Sequence, residues 1–385
     1  MIYKPDYARA QKMAYDTVKH SNQSTLPISV KKIIKGFKNL HIQKFSTFAK
    51  KRGFSLEETY ELLDTKEGCL WMRKDGSYLI LYNDTVDNKG RVRFTLAHEL
   101  GHFLLKHNER NNKTQISRYS LTAEEYDAFE KEANYFAKRL LAPIPLIDEI
   151  RSIWNGINIY QIEDIFEISF SVSDYLIKEL NRRNRTTNIA RENHDLVYNF
   201  SNELRQKLES KLCERCGGSC NIGDNFCSIC GFDKFSTAKS ISYSWFKKEI
   251  DESMKYPGIQ TNGNSFATTC PRCENDFLID NQEFCQICGA NLFNKCIGNI
   301  NPGDTDDWGA PLNVHYLQGC GQHLSGDARY CPVCGGLSSF YYQEILSDWK
   351  TAQEDIIMQA KIIADPFSAS SIEYQTALEN SRMAQ

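Results

Sequence analysis

His98-Glu99-Leu100-Gly101-His102 is the segment of this 385-residue chain whose residue types and spacing point most directly to chemistry. Residues four apart on a helix differ by only ~40° in direction and one turn in height, so both imidazoles can reach one ion. Glu99 then projects to the side where a water on that ion would sit, placed to take its proton. With only eight histidines in the chain, composition alone gives such a pattern roughly 0.02 times.

A hydrolytic zinc site needs a third protein ligand and one open position. Glu130 and Asn134, again four apart in EKEANYFAKRLLAP, allow Glu130 to bind the ion while Asn134 supports a ligand from behind. Glu132 lies ~200° around that helix from Glu130, so the two cannot both face one ion. The expected constellation is His98, His102 and Glu130 on zinc with Glu99 as general base. His107, Tyr119 and Tyr126 lie near it in sequence, and none is singled out to steady an oxyanion.

Thirteen of the 14 cysteines follow residue 212, and ten of them form five Cys-x-x-Cys pairs. The amino terminus has no apolar segment for secretion and no run reaches the ~18 to 20 apolar residues that cross a bilayer, so a reducing, cytoplasmic setting is expected. There such pairs are metal ligands rather than disulfides. Cys213, Cys216, Cys227 and Cys230 read as two knuckles on one zinc, and Cys270, Cys273, Cys285 and Cys288 repeat the pattern; Cys220 is spare. A third copy is degenerate. Cys331 and Cys334 form a full knuckle and Cys320 keeps the register, but the missing partner falls at Leu317, which cannot bind. Cys296 is the preferred fourth ligand, with His323 or His315 as alternatives.

Charge bears on what these modules bind. Residues 1–200 hold 31 basic and 26 acidic side chains, a balance of +5, and residues 201–385 hold 15 and 23, a balance of −8. Each four-thiolate zinc site carries −2, so three sites take the far half to about −14, the wrong sign for phosphate. Protein recognition is therefore expected over nucleic acid, beside a structural role for metal in modules too small to bury a core.

The elements that must position these groups can be read from periodicity. Helices are expected near Ala8 to Val18, Val30 to Phe37 and Ser55 to Leu63, with a strand at Leu40 to Phe45. CLWMRK and SYLILY form a hairpin about Asp75-Gly76, where glycine supplies the positive φ of a primed turn. RVRFTLAHELGHFLLKH is a helix with one buried face through Phe94, Ala97, Leu100 and Leu104. A second helix runs from Ala123 to Leu141, ended by Pro143 and Pro145. Residues 158–183 read as two helices with a turn around Ser169 to Ser173, either a DNA-reading pair or a pair that closes the domain. A helical tail is expected from Tyr341 to about Ile363.

RFTLAHELGHFLL followed by E-x-x-A-N-x-F-A-x-x-L-L-x-P resembles the ImmA/IrrE-type zinc metallopeptidases, which cleave or antagonise helix-turn-helix repressors. The likeness covers about residues 1–185; Ala142 departs from it where relatives commonly carry Met. It implies a zincin-like domain with zinc on His98, His102 and Glu130 and Glu99 as base. The expected class is α+β: a metallopeptidase domain with a small sheet and active-site helices (1–185), a linker (186–212) and zinc ribbon 1 (213–231). A connector (232–265), ribbon 2 (266–292), a degenerate ribbon 3 (293–338) and a helical tail (339–385) follow. The expected function is a cytoplasmic zinc endopeptidase, with one catalytic and up to three structural zinc ions, whose ribbons recognise a protein substrate; a DNA-binding repressor is one candidate. The alternative is a non-catalytic regulatory protein that holds a protein or DNA partner. A third reading, a thiolate sensor in which oxidation or metal loss from the ribbons unlocks the peptidase, rests on cysteine abundance alone.

Overall fold

A computed structural model describes residues 4–111, 123–183, 193–262, 264–279, 282–298, 300–301, 315–316 and 319–364. The chain divides into two compact units, residues 1–209 with 241–245 and residues 210–240 with 246–385. Among the described residues no helix is long and apolar enough to cross a membrane.

The first unit opens with α1 (Tyr7–His20), α2 (Val30–Lys35), β1 (Leu40–Lys44), α3 (Phe45–Arg52) and α4 (Leu56–Leu63). Ser55 starts α4 with a reciprocal capping box, its hydroxyl accepting from the Glu58 N–H while the Glu58 carboxylate accepts from its own. Strands β2 (Gly68–Met72) and β3 (Tyr78–Tyr82) follow, and the sheet order is β1-β3-β2. β3 pairs in parallel with β1 and antiparallel with β2. Every residue of β3 is buried, which is why its sequence, YLILY, is apolar without alternation. Leu79 and Leu81 pack with Phe45, Phe48, Leu63 and Cys69 beneath α3 and α4, so Cys69 is a core residue.

The turn from β2 to β3 differs from the expected primed hairpin. Only Gly76 has positive φ, at 78°, and the Arg73 carbonyl accepts from the Gly76 N–H. A primed type I′ turn needs positive φ at both central residues; Asp75 avoids it, and the loop lengthens to a turn closed by glycine.

α5 (Lys89–Leu104), α6 (His107–Asn111) and α7 (Ala123–Leu141) carry the site region. α5 has more than the one buried face expected: Thr95, Leu96, Ala97, Glu99, Leu100, Gly101 and His102 are all buried, because the helix lies between β2 and β3, α2 and α7. Gly101 lets α7 approach, since a Cβ there would stand 3.0 Å from the Phe136 ring and 3.4 Å from the Ala133 Cα. Gly68 does the same on the sheet side, where a Cβ would lie 2.5 Å from Thr95 Cγ2.

Pro143 ends α7 and stands at the N-cap of α8 (Ile144–Trp154), with Pro145 in its first turn. α9 (Ile159–Phe166) and α10 (Phe170–Arg183) are the expected helix pair. The turn falls earlier than Ser169 to Ser173, at Glu167, which has φ of 46°. Arg93 closes α9 by donating to the Phe166 and Glu167 carbonyls, and Ile162, Ile165, Phe166, Leu176 and Leu180 are buried. The pair is thus tied into the first unit.

Of the stretch expected as a linker, 186–212, the described part from 193 is mostly helical: α11 (His194–Leu208) buries Leu196, Phe200, Leu204 and Leu208 beside α8 and α1. Its mixed-charge composition hides that stripe. In the second unit β4 (Ser210–Cys213) pairs with β5 (Ser219–Asn221) and β6 (Phe235–Thr237). The tail begins with a one-turn helix, Ser339–Tyr342, followed by a longer one, Trp349–Ala364. Ala352 of that helix is buried among Cys213, Cys216, Cys227 and Cys230, so the tail closes the first ribbon.

Arg139 of α7 is fully buried and donates to both oxygens of Glu179 on α10 at 2.5 and 2.6 Å. Glu179→Gln would leave this guanidinium buried without its carboxylate, and the first unit should lose about 3 kcal/mol in urea unfolding.

Candidate metal centres

α5 presents His98 and His102 toward Glu130 of α7. His98 Nε2 lies 3.3 Å from one Glu130 oxygen and His102 Nε2 3.4 Å from the other, and the two Nε2 atoms are 3.0 Å apart. Three donors on a common ion with bonds of ~2.0–2.1 Å in tetrahedral array would stand about 3.3 Å apart, so the spacing fits zinc. His102 is 4% exposed, His98 15% and Glu130 27%, so the site opens on the His98 and Glu130 side.

The hydrogen-bond order behind the imidazoles shows why a cation is wanted. Asn134 Oδ1, an acceptor, lies 3.1 Å from His98 Nδ1, which places the His98 proton on Nδ1 and the lone pair on Nε2. Behind His102 a longer relay does the same. Glu132 is fully buried and lies 3.0 Å from His107 Nε2, while His107 Nδ1 lies 2.9 Å from His102 Nδ1. An ionised carboxylate only accepts, so His107 carries its proton on Nε2 and accepts from His102 Nδ1–H. Two lone pairs and a carboxylate then converge with no proton between the imidazoles, an arrangement that a cation neutralises.

The ionisation of the groups follows their surroundings. Burial pushes His102 down to about 4, against the pull of the Glu130 carboxylate. For His98 burial acts the same way but is outweighed by the Glu130 carboxylate against its ring and the charges of Glu99 and Glu130, so its pKa rises. Burial would raise Glu130, yet its contacts with the His102 and His98 rings hold it well below the usual carboxylate range. Glu99 is buried beside the sheet and is pushed up to about 7, chiefly by desolvation, although His98 and a hydrogen bond from the Leu70 N–H oppose the rise. A carboxylate near neutrality is matched to moving protons at physiological pH.

Sequence reading does not place Glu132 and His107 in the site. Glu132 does face away from the ion position, as its place on the helix requires, but it is buried rather than solvated. It also accepts from the Asp6 N–H at 2.9 Å and Arg110 at 3.1 Å. His107 reaches it because Lys106 takes φ of 57° and ends α5, turning the chain back under His102. No periodicity announces that turn. His107 therefore lies behind a proposed ligand and away from the opening. Tyr126 sits one turn before Glu130 on the same face of α7, and Tyr119 lies outside the described residues.

The cysteines of the second unit gather in three groups: Cys213, Cys216, Cys227 and Cys230; Cys270, Cys273, Cys285 and Cys288; and Cys296, Cys320, Cys331 and Cys334. The nearest sulfur pairs are 3.4 and 3.5 Å apart in the first, 3.5 and 3.6 Å in the second, and 3.4, 3.6 and 3.7 Å in the third. Four sulfurs ~2.3 Å from one zinc would be about 3.8 Å apart, against about 2.05 Å for a disulfide. The three groups fit zinc ribbons, and all their thiols are free. In the third, Cys296 stands with the other three cysteines, while the His323 ring packs 5.5 Å from that of Phe293. His315 is described only in its backbone and Leu317 not at all. Cys220 is buried outside the first group.

Residues 54–178 match the model of the IrrE N-terminal-like domain, Peptidase_M78. The match spans about a third of the chain and contains His98, Glu99, His102, Glu130 and Asn134, so this segment is similar to a peptidase-family domain. A search of curated proteins found no match.

Removing the acceptor behind His102 frees its proton to settle on Nε2. His107→Leu should therefore weaken zinc binding at the histidine site about tenfold, read by chelator competition on the full chain.

Proposed function

We propose that the protein is a zinc-dependent endopeptidase acting in the cytoplasm on a protein partner, with its ribbons contributing to partner recognition. The observation that carries this reading is the convergence of His98 Nε2, His102 Nε2 and Glu130 beside a buried carboxylate, Glu99, whose pKa is pushed up to about 7. The likeness of residues 54–178 to a peptidase domain supports it.

In this reading His98, His102 and Glu130 hold the ion, which when bound supplies a Lewis acid that polarises the scissile carbonyl and acidifies water. Glu99 takes the proton from the attacking water and returns it to the departing amine. Asn134 and His107 hold the two imidazoles in the tautomers that leave Nε2 unprotonated. A cavity of about 830 Å³, lined by Arg91, Phe94, Asn134, Lys138 and Tyr175 among others, adjoins Asn134 and offers aromatic and basic contacts to a peptide. A helix-turn-helix repressor is the substrate class we favour, on the ImmA/IrrE resemblance. Four zinc ions per chain follow, one at the histidine site and one in each cysteine group.

Two experiments check this. Cellular proteins are compared between the parent and Glu99→Gln, which should keep its zinc and fold but lose cleavage by more than about a hundredfold; a fragment present with the parent alone identifies the substrate. A Glu99→Gln form that still cleaves, or a parent that never does, favours the binding protein instead. Metal analysis should give four zinc per chain, and Cys227→Ser should lower the count by one while zinc at the histidine site stays.

A further inference from the structure

The second knuckles of the three cysteine groups share one pattern: Phe226-Cys-Ser-Ile-Cys-Gly231, Phe284-Cys-Gln-Ile-Cys-Gly289 and Tyr330-Cys-Pro-Val-Cys-Gly335. Their backbones match as well. In each, the glycine N–H donates to the carbonyl of the first cysteine at 2.9 Å, and that cysteine's N–H donates across the turn at 2.7 to 2.8 Å. Each glycine has φ of 69 to 74°.

Two of the three knuckles are joined face to face by a reciprocal exchange. Asn225 and Phe226 donate their N–H groups to the Pro332 carbonyl at 2.8 and 3.0 Å, and Arg329 and Tyr330 donate theirs to Ser228 at 2.8 and 2.9 Å. Pro332 and Ser228 hold the same place, the residue after the first cysteine. The rings follow the same rule: a Cβ on Gly231 would lie 2.9 Å from the Tyr330 ring, and one on Gly335 would lie 3.1 Å from the Phe226 ring. Each aromatic residue covers the other knuckle's glycine, so the pair has approximate two-fold symmetry.

The middle knuckle has the same parts and no mate among the described residues. Gly289 has nothing within 4 Å of where a Cβ would stand. Phe284 is 52% exposed and Ile287 68%, and Phe277 and Ile279 of the same group are exposed as well. Among the described residues, nothing bonds the Glu283 and Phe284 N–H groups or the Gln286 carbonyl, the counterparts of those exchanged in the joined pair. We propose that this knuckle is a dimerisation surface whose occupant is the same knuckle of a second copy of the chain. A two-fold exchange is self-complementary, so one surface supplies both halves. Phe284 of each copy would cover Gly289 of the other, and Glu283 and Phe284 would donate to the other copy's Gln286 carbonyl. An exchange this small belongs with weak, transient interfaces, with dissociation constants of order 10 μM.

Sedimentation velocity of the zinc-loaded full chain tests it, paired with amide hydrogen exchange at low and high protein concentration. Expected are a reversible monomer–dimer equilibrium and concentration-dependent protection of the Glu283 and Phe284 amides. Phe284→Asp should weaken dimerisation at least about tenfold with zinc per chain and circular dichroism unchanged. A parent that stays monomeric at about ten times the expected dissociation constant, a dimer protected elsewhere, or a correctly folded Phe284→Asp that dimerises equally would overturn the proposal. If that variant misfolds, the exchange pattern of the parent decides alone. None of these readouts depends on peptidase activity.

Discussion

The first unit is organised around two imidazole nitrogens and a carboxylate that packing brings to one point. The Nε2 atoms of His98 and His102 stand 3.0 Å apart and share one carboxylate. Each ring is held from behind by an acceptor that faces its Nδ1. Packing supplies the force that keeps them there: α5 is wedged between sheet and α7, and Gly101 and Gly68 remove the two Cβ atoms that would hold its neighbours off. The desolvation that makes the cluster costly without an ion also raises Glu99 into the range where a carboxylate can carry a proton.

The second unit meets a related difficulty at a different scale. In its ribbons the cysteines themselves form part of the core: Cys213, Cys216, Cys227 and Cys230 cluster with Ile229, Tyr256 and Ala352. Modules of this size fold when metal substitutes for buried area. The added apolar cover comes from neighbours, the tail helix for the first group and the paired knuckles between the first and third. The middle group buries Ala290 and Leu292 with Cys270 and Cys285 but leaves Phe284 and Ile287 exposed.

Much of this is legible locally. The His98 to His102 spacing, the face shared by Glu130 and Asn134, the bounds of α7 and the Cys-x-x-Cys registers are short-range facts, set by the turn of a helix or the reach of a knuckle. What escapes such a reading is long-range or breaks periodicity. The helix His194–Leu208 is hidden because its apolar stripe is diluted by charges. The burial of Glu132 depends on Asp6 at the start of α1 and on His107 and Arg110 of α6, elements distant from it in the chain or set by an unannounced turn. The β2–β3 turn departs from expectation because Asp-Gly is compatible with more than one loop length.

Chain order settles which atoms could bind metal, since ligand chemistry resides in residue type and in spacings of three or four that secondary structure preserves. Which of those candidates meet is a matter of packing. Folding brings Cys296 to a knuckle formed by residues more than thirty positions later, separates Glu132 from Glu130 by function, and sets His107 behind His102. The reason is that hydrogen-bond order and desolvation are properties of a packed interior, where each group answers to neighbours that its place in the chain does not specify.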